Sequence, residues 1–361
     1  MEHVYAVILA GGSGTRFWPK SRHLSPKQLC RIGHDHRTMI EKTLDRLDSW
    51  IPPERRLVVT HVDQVEATTA IVHKRCSSIL GEPYAKNTAP ALMIAALEIL
   101  KIHRGPTPPL MVSLHADHLI KNEPQFRQTI THALTLAQEG QLTLVGVTPE
   151  YPETGYGYIE KGTPHHKVPD GYSVASFREK PNFETASHFV ESGKFLWNSG
   201  LFVWRVDRIL EEIAWSLKGP LDSLQKLFDQ YGRYYQIPAS VIQDVYGKIP
   251  KISIDHAVLE TSKMVSVVAA QMGWQDVGSW SALDQAFSPD AMGNLVFGDV
   301  CLIDTKQTTI DTDGPFVAAL GLSGMVVVAA KGAVLVCPKS RSQDVKEIVQ
   351  WLEKHGKKDL L

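Results

Sequence analysis

The segment Leu9-Ala10-Gly11-Gly12-Ser13-Gly14-Thr15-Arg16 sets three glycines ahead of a cation, and more cations follow it. From His3 through His34 there is no Asp or Glu, while Arg16, Lys20, Arg22, Lys27 and Arg31 all fall in that stretch. Glycine permits positive φ and a close backbone approach, so successive N–H groups can converge on phosphate oxygens. Five unpaired cations on one loop repel each other unless something anionic sits among them. The chemistry indicated is the holding of a phosphorylated anion. The spacing is neither G-x-x-x-x-G-K-[ST] nor G-x-G-x-x-G, so neither ATPase nor dinucleotide chemistry follows from it. A second feature is Asp117, flanked by His115 and His118 directly after the apolar run at 110–114. A carboxylate there either caps the next turn or takes part in chemistry, and the residues alone fit both.

These residues need elements to position them. Val4–Leu9 is a short apolar run feeding the glycine-rich loop, which reads as a buried strand. Residues 56–60, 110–114 and 142–147 read the same way. Between them lie helical patterns at 38–50, 91–101 and 125–138, the second with Asn87 or Thr88 as its cap. Strand and helix alternate and each strand is continuously apolar, which predicts an α/β fold. Its sheet is Rossmann-like and mostly parallel, with helices on both faces. In such sheets ligands bind at the carboxyl ends of the strands, where both the loop and Asp117 fall. From about residue 155 the rhythm changes to shorter strands at 156–160, 173–177 and 201–205, with helices near 183–191 and 208–217. This part builds a second pocket wall. Residues 293–339 alternate Val, Thr, Asp and Gly at short spacing and 343–355 form an amphipathic helix. The expected division is therefore 1–285 for the catalytic domain and 286–361 for a small β-rich C-terminal domain, into which a few coils of β-helix fit.

Composition bounds the function. The 361 residues carry 38 Lys+Arg against 39 Asp+Glu, a net charge of −1, so no basic footprint points to nonspecific nucleic-acid binding. With 43% hydrophobic residues the chain can bury a large core, which excludes global disorder. Cys30, Cys76, Cys301 and Cys337 form no C-x-x-C pair, so neither a disulfide framework nor a structural zinc site is expected. Met1-Glu2-His3 starts acidic and leads into too few apolar residues for a signal peptide. The most membrane-like stretch, 316–337, is punctuated by Gly321, Ser323, Gly324, Lys331 and Gly332, and reads as two buried strands. A soluble protein of the cytoplasm is expected, with no nucleic-acid or membrane partner.

The stretch LAGGSGTRFWPKSRHLSPKQ at 9–28 resembles the signature of the sugar nucleotidyltransferases. Its Phe17-Trp18-Pro19-Lys20-Ser21-Arg22 and Pro26-Lys27-Gln28 versions resemble those of the mannose-1-phosphate guanylyltransferases. The likeness continues, in the family's order, through Asn87-Thr88-Ala89-Pro90-Ala91, Ala116-Asp117-His118, Phe177-Arg178-Glu179-Lys180-Pro181 and Trp197-Asn198-Ser199-Gly200. It ends with the blocks at 254–260 (IDHAVLE) and 273–280 (GWQDVGSW). The resemblance implies a nucleotide-diphospho-sugar transferase fold and the reaction of GTP with mannose 1-phosphate to give GDP-mannose and pyrophosphate. It implies Mg²⁺ as cofactor, held by Asp117 and Asp276. The implied catalytic set is Arg16 on the triphosphate, Lys27 beside the attacking phosphate and the α-phosphate, and the two aspartates. Ala10, Gly11, Gly12, Ser13, Gly14, Thr15 and Arg16 would cradle the nucleotide, with guanine near Gly11, Glu82, Asn87 and Thr88. Gly157, Glu179 and Asn198 would face the sugar and Lys180 its phosphate.

No general base is expected, because a phosphate monoester with a second pKa of about 6 is mostly dianionic at neutral pH. Direct in-line displacement with no covalent enzyme intermediate follows. Two departures from the family pattern stand out: His115 where Pro is usual, and Ala85-Lys86 where Gly-Arg is usual. Lys86 keeps charge but loses a planar bidentate donor. His115-x-Asp117-His118 also matches the latter part of the H-x-H-x-D-H signature of dinuclear zinc hydrolases, with Ser113 in place of the first histidine. A relative of other base or sugar specificity, or a non-catalytic relative that regulates a partner, forms the remaining alternative. The β-rich tail favours a homodimer.

Overall fold

The computed structural model describes residues 3–34 and 36–361. In chain order the strands begin with β1 (Val4–Leu9), β2 (Arg56–His61), β3 (Ser78–Glu82), β4 (Leu110–His115), β5 (His118–Ile120) and β6 (Leu142–Val147). They continue with β7 (Gly157–Pro164), β8 (Gly171–Glu179), β9 (Phe195–Arg205), β10 (Val265–Ala270) and β11 (Trp274–Asp276). The tail holds β12 (Leu295–Phe297), β13 (Val300–Ile303), β14 (Thr309–Thr312), β15 (Val317–Leu320), β16 (Met325–Ala330) and β17 (Ala333–Pro338). The helices are α1 (Met39–Asp45), α2 (Val65–Val72), α3 (Thr88–Ile102), α4 (Glu123–Gln138) and α5 (Phe183–Ser192). After them come α6 (Val206–Tyr231), α7 (Ala239–Gly247), α8 (Leu283–Ala286) and α9 (Val345–Lys354).

Among the described residues the main sheet runs β3-β2-β1-β4-β9-β6-β10-β8-β7. Strands β3, β2, β1, β4, β6, β10 and β7 point one way, and β9 and β8 run against them. The alternation in β1 shows how the sheet is covered. Tyr5, Val7 and Leu9 belong to one core cluster with α3 and α6, whereas Val4, Ala6 and Ile8 belong to another with α1 and α4. A side-chain period of two puts successive residues on opposite faces, and both faces are apolar here.

Two differences from the sequence reading have local causes. Strand β9 begins at Phe195 rather than 201, because Asn198 and Gly200 interrupt an otherwise apolar run without breaking it. Gly200 takes φ +68 inside the strand, and the β6–β9 register shifts between Leu144 and Gly146. Helix α6 extends past 217 to Tyr231. Leu217 departs from helical geometry (φ −128, ψ 36), and Pro220 then falls in the first turn of a second helical segment, where its missing N–H costs nothing. Strands β3 and β10, which the sequence reading did not include, pair parallel with β2 and β6.

The tail has two parallel ladders, β12-β14-β16 and β13-β15, as in successive coils of a β-helix, and β17 closes antiparallel on β16. The 316–337 stretch thus holds β15, β16 and most of β17 rather than two strands. Val326, Val328 and Leu335 pack with Val345, Val349 and Leu352 of α9 and with Phe17, Trp18 and Trp280 in a single cluster. The tail therefore supports the segment that follows the glycine-rich loop.

Candidate active site

At the carboxyl end of β1 the chain turns through Ala10–Gly14 into a 3₁₀ turn at Thr15–Phe17. Ala10 N–H donates to Val59 O at 2.7 Å, so the loop starts tied to β2. The Gln28 amide donates to the carbonyls of Ala10 and Gly12, and Ser21 Oγ donates to Gly14 O at 2.7 Å. Gly14 is left-handed at φ +60, and a Cβ there would lie 2.4 Å from Lys27 Cβ. Only glycine lets the loop rest on Lys27 in this way.

Lys27 is nearly wholly buried, and its Nζ lies 2.9 Å from Asp117 Oδ2 and 3.9 Å from Asp276 Oδ1. The two carboxylates are brought together by a short ribbon. Asp117 sits in the turn between β4 and β5, β11 pairs antiparallel with β5, and Asp276 stands opposite His118. Burial works against charge on Asp117, yet Lys27, His118 and His115 overcome it and hold its carboxyl well below the usual carboxylate range. For Asp276 burial prevails: together with the Asp117 charge it pushes the carboxyl up, against the pull of Lys27.

Two cavities meet at Asp117. One, of about 250 Å³, is lined by Ser13, Gly14, Thr15, Arg16, Lys27, Asp117, Asp276 and Gly278. Arg16 reaches it from the 3₁₀ turn and donates from Nη1 to Gly278 O at 3.1 Å. The other, of about 340 Å³, is lined by Ala10, Gly11, Gly12, Glu82, Asn87, Thr88, His115 and Asp117, among others. Glu82 ends β3 inside it, buried, and accepts a hydrogen bond from Tyr246 Oη. Burial pushes the Glu82 carboxyl up to about 7, against that hydrogen bond. Asn87 takes φ +71 and caps α3 by accepting from Thr88 N–H at 2.8 Å. Thr88 Oγ1 accepts from Ile254 N–H at 2.9 Å, so its oxygen also ties α3 to the segment before residue 255.

On the opposite side, Gly157, Glu179 and Asn198 converge. A Cβ on Gly157 would lie 2.6 Å from Glu179 Oε2 and 3.3 Å from Asn198 Cβ. Lys180 points outward: it is 64% exposed, takes φ +44, and its Nζ lies 3.2 Å from Glu179 Oε1. It forms the surface ion pair that ends β8.

The structure revises one reading of the basic loop. Of the five cations, Arg16 and Lys27 line the phosphate-sized cavity, and the others have different partners. Lys20 is buried and bonds Asp311 through both carboxylate oxygens, at 2.6 and 2.9 Å, with Asp313 at 3.1 Å. The Arg22 guanidinium lies over the Trp18 ring and donates to Lys331 O, and Arg31 is exposed. The acids that balance Lys20 come from the tail, where a local reading of charge could not find them. Lys86 lines the larger cavity, and its ammonium donates to Gly247 O at 2.8 Å.

Sequence reasoning passed over Asp255, whose Oδ1 accepts from Asn198 Nδ2 at 2.9 Å. It starts a π-helical turn, Asp255–Leu259, a conformation frequent at functional sites. Burial and then the Glu179 charge push its carboxyl up. The signal was present in the 254–260 block. Lys251, lining the larger cavity, belongs to no quoted block and gave none.

The nucleotidyl transferase family model matches residues 5–292, which includes both cavities and both aspartates. The chain belongs to the nucleotidyl transferase family. A second model, for the MannoseP isomerase/GMP-like beta-helix domain, matches residues 298–352 of this nucleotidyl transferase. It is 38% identical to a mannose-1-phosphate guanylyltransferase of Escherichia coli over 97% of its own length and 74% of that protein's. It is 37% identical to the alginate biosynthesis protein AlgA of Pseudomonas syringae, over 97% of its own length and 72% of that protein's. Among solved structures, one called mannose-1-phosphate geranyltransferase, from Thermus thermophilus, superposes with a TM-score of 0.85 at 33% identity, covering 97% of this chain and 99% of that one. The zinc-hydrolase reading falls with this membership, and Ser113, standing where its first histidine belongs, is fully buried in β4. No helix among the described residues is long and apolar enough to cross a membrane.

Proposed function

We propose that the chain transfers GMP from GTP to mannose 1-phosphate, releasing pyrophosphate. The observation that carries this is the buried Lys27 ammonium between Asp117 and Asp276, where a phosphate-sized cavity meets a larger one edged by Glu82 and Asn87. The larger cavity takes guanosine, with Gly11, Glu82, Asn87 and Thr88 around the base. The triphosphate runs over Ala10–Thr15 towards Arg16. The sugar lies against Gly157, Glu179 and Asn198, and Lys180 leaves its ion pair to meet the sugar phosphate.

A phosphate oxygen of mannose 1-phosphate attacks the α-phosphorus, the bond from that phosphorus to the β-bridging oxygen breaks, and pyrophosphate departs with the electron pair. Lys27 draws the two anions together and Arg16 offsets charge on the leaving group, so catalysis is mainly positioning and electrostatics. Asp117 and Asp276 fit a divalent cation: they are two hard oxygen donors already converging on one positive charge, that of Lys27. When bound there, Mg²⁺ supplies charge neutralisation at the phosphates.

Pyrophosphate release, measured with Mg²⁺ across nucleoside triphosphates and sugar 1-phosphates, tests the reading. GTP with mannose 1-phosphate is expected to be fastest; a preference for UTP or dTTP would overturn the specificity, and no turnover with any pair would leave a regulatory, non-catalytic relative. We further propose a division after residue 285, a cytoplasmic location in keeping with four free cysteines, and a homodimer. The homodimer is supported by exposed apolar strips on the tail, Ile303 beside Leu320 and Val334 with Val336.

A further inference from the structure

We propose that His115 is a third ligand of the divalent cation held by Asp117 and Asp276, and that it shifts the site towards ions that accept nitrogen, such as Mn²⁺ and Co²⁺, relative to Mg²⁺. The inference rests on the metal reading of those two aspartates given above.

His115 ends β4 two residues before Asp117, and both line the larger cavity where it meets the smaller. The ligand atoms of His115, Asp117 and His118 all lie within 4.8 Å of one another; Asp276 stands outside that group and faces the same Lys27 ammonium as Asp117, at 3.9 Å. The two imidazoles differ in availability. His118 is buried, its Nδ1 accepts from Trp274 Nε1 at 3.1 Å, and its ring meets the Trp274 ring edge-on at 5.2 Å. With the Nδ1 lone pair taken, neutral His118 carries its proton on Nε2 and has no free donor pair. His115 is only half-buried, and among the described residues no protein group hydrogen-bonds its ring. Its ring packs on His118, with centroids 4.7 Å apart. A Cβ on Gly200 would lie 2.9 Å from His115 Nε2, so the glycine keeps the space beside that nitrogen open.

The surroundings favour a cation over an anion as the partner of this nitrogen. Asp117 lies within ligand distance of it, and Asp276 faces the same Lys27 ammonium as Asp117. A set of two carboxylates alone suits Mg²⁺, which keeps water and phosphate as its other ligands. Adding one imidazole moves the preference towards first-row transition ions.

The test uses Mn²⁺ with the full-length protein, alone and with GDP-mannose, which cannot turn over without pyrophosphate. Electron spin-echo modulation of bound Mn²⁺ should show a directly coordinated ¹⁴N. His115→Ala should abolish that coupling and weaken Mn²⁺ binding about 10-fold or more, while Mg²⁺ affinity by calorimetry changes by less than about 2-fold. The inference is overturned by bound Mn²⁺ without ¹⁴N coupling, by coupling that persists in His115→Ala, or by equal losses for Mn²⁺ and Mg²⁺. Should the alanine variant not fold, His115→Gln and the wild-type spectrum decide in the same way. Mn²⁺ that binds, is lost in Asp276→Ala, and shows no ¹⁴N coupling leaves the metal reading standing and removes this one. No Mn²⁺ binding in either condition removes both.

Discussion

Lys27 and Gly14 are fitted to each other: the lysine Cβ fills the space that a Cβ on Gly14 would claim, only 2.4 Å away, while the Lys27 ammonium reaches Asp117 at 2.9 Å. One side chain therefore shapes the glycine-rich loop and joins it to the carboxylates. Lys27→Ala is expected to lower the rate of pyrophosphate release by at least about 10²–10³-fold, as for loss of a fixed charge aimed at the reacting phosphates. Lys27→Arg should not restore it, because the lysine is 5% exposed and a branched guanidinium has no room there. Near wild-type rates in either protein would remove Lys27 from the chemistry.

The loop glycines should not be equivalent. Gly12 has open space where a Cβ would go, whereas Gly14 combines φ +60 with a clash against Lys27. Gly12→Ala should leave the fold intact and change KM for GTP by only a few-fold. Gly14→Ala should destabilise the protein by about 1–2 kcal/mol and depress turnover sharply. Steady-state kinetics beside urea unfolding of both variants checks the contrast; equal behaviour would mean that the loop is not seated on Lys27.

Glu82 supplies a pH signature. Its carboxyl is raised to about 7 in the folded chain against an ordinary value of 4.5, so the folded state binds the proton more tightly than the unfolded one. The stability it contributes is fully present below about pH 4.5 and is lost as pH rises through about 7, a change on the order of 3 kcal/mol. Glu82→Gln stays neutral and keeps an oxygen for Tyr246, so its Tm should fall less than the wild-type Tm between pH 5 and pH 8. Parallel Tm profiles for the two proteins would contradict the assignment.

The ion pair between Lys20 and Asp311 is buried at both ends, 5% and 1% exposed. Lys20→Met leaves Asp311 buried without a counter-ion and should cost about 3–5 kcal/mol, whereas Asp311→Asn leaves Lys20 the half-exposed Asp313 at 3.1 Å and should cost less. The double variant Lys20→Met with Asp311→Leu should recover much of that loss. Urea unfolding of the cycle measures the coupling. Additive losses would show that the two side chains act independently.

Much of this was readable from residue types. The buried strands β1, β2, β4 and β6 announced themselves by apolar runs, α3 by its composition and the Asn87 cap, and the loop by its glycines. The whole of β9 was not readable, because Asn198 and Gly200 look like a turn until strands on both sides carry the ladder past the left-handed Gly200. Nor could local sequence assign the cations. Lys20 and Lys27 lie seven residues apart in one basic stretch, yet one is neutralised by the tail and the other by the site. That distinction depends on contacts 90 and 291 residues away, and the position of Asp255 behind Asn198 on one 57 residues away.

The partners in the Lys20–Asp311 pair are 291 positions apart. On a ribosome adding about 5–20 residues per second, Lys20 is made some 15–60 s before the aspartate that neutralises it. During that interval the sheet strands and their helices emerge, but the segment after the glycine-rich loop still lacks the counter-charge and the apolar floor that the tail provides. The loop is synthesised first and anchored last, so a nascent chain gains a finished phosphate cradle only when its final coils have folded beneath it.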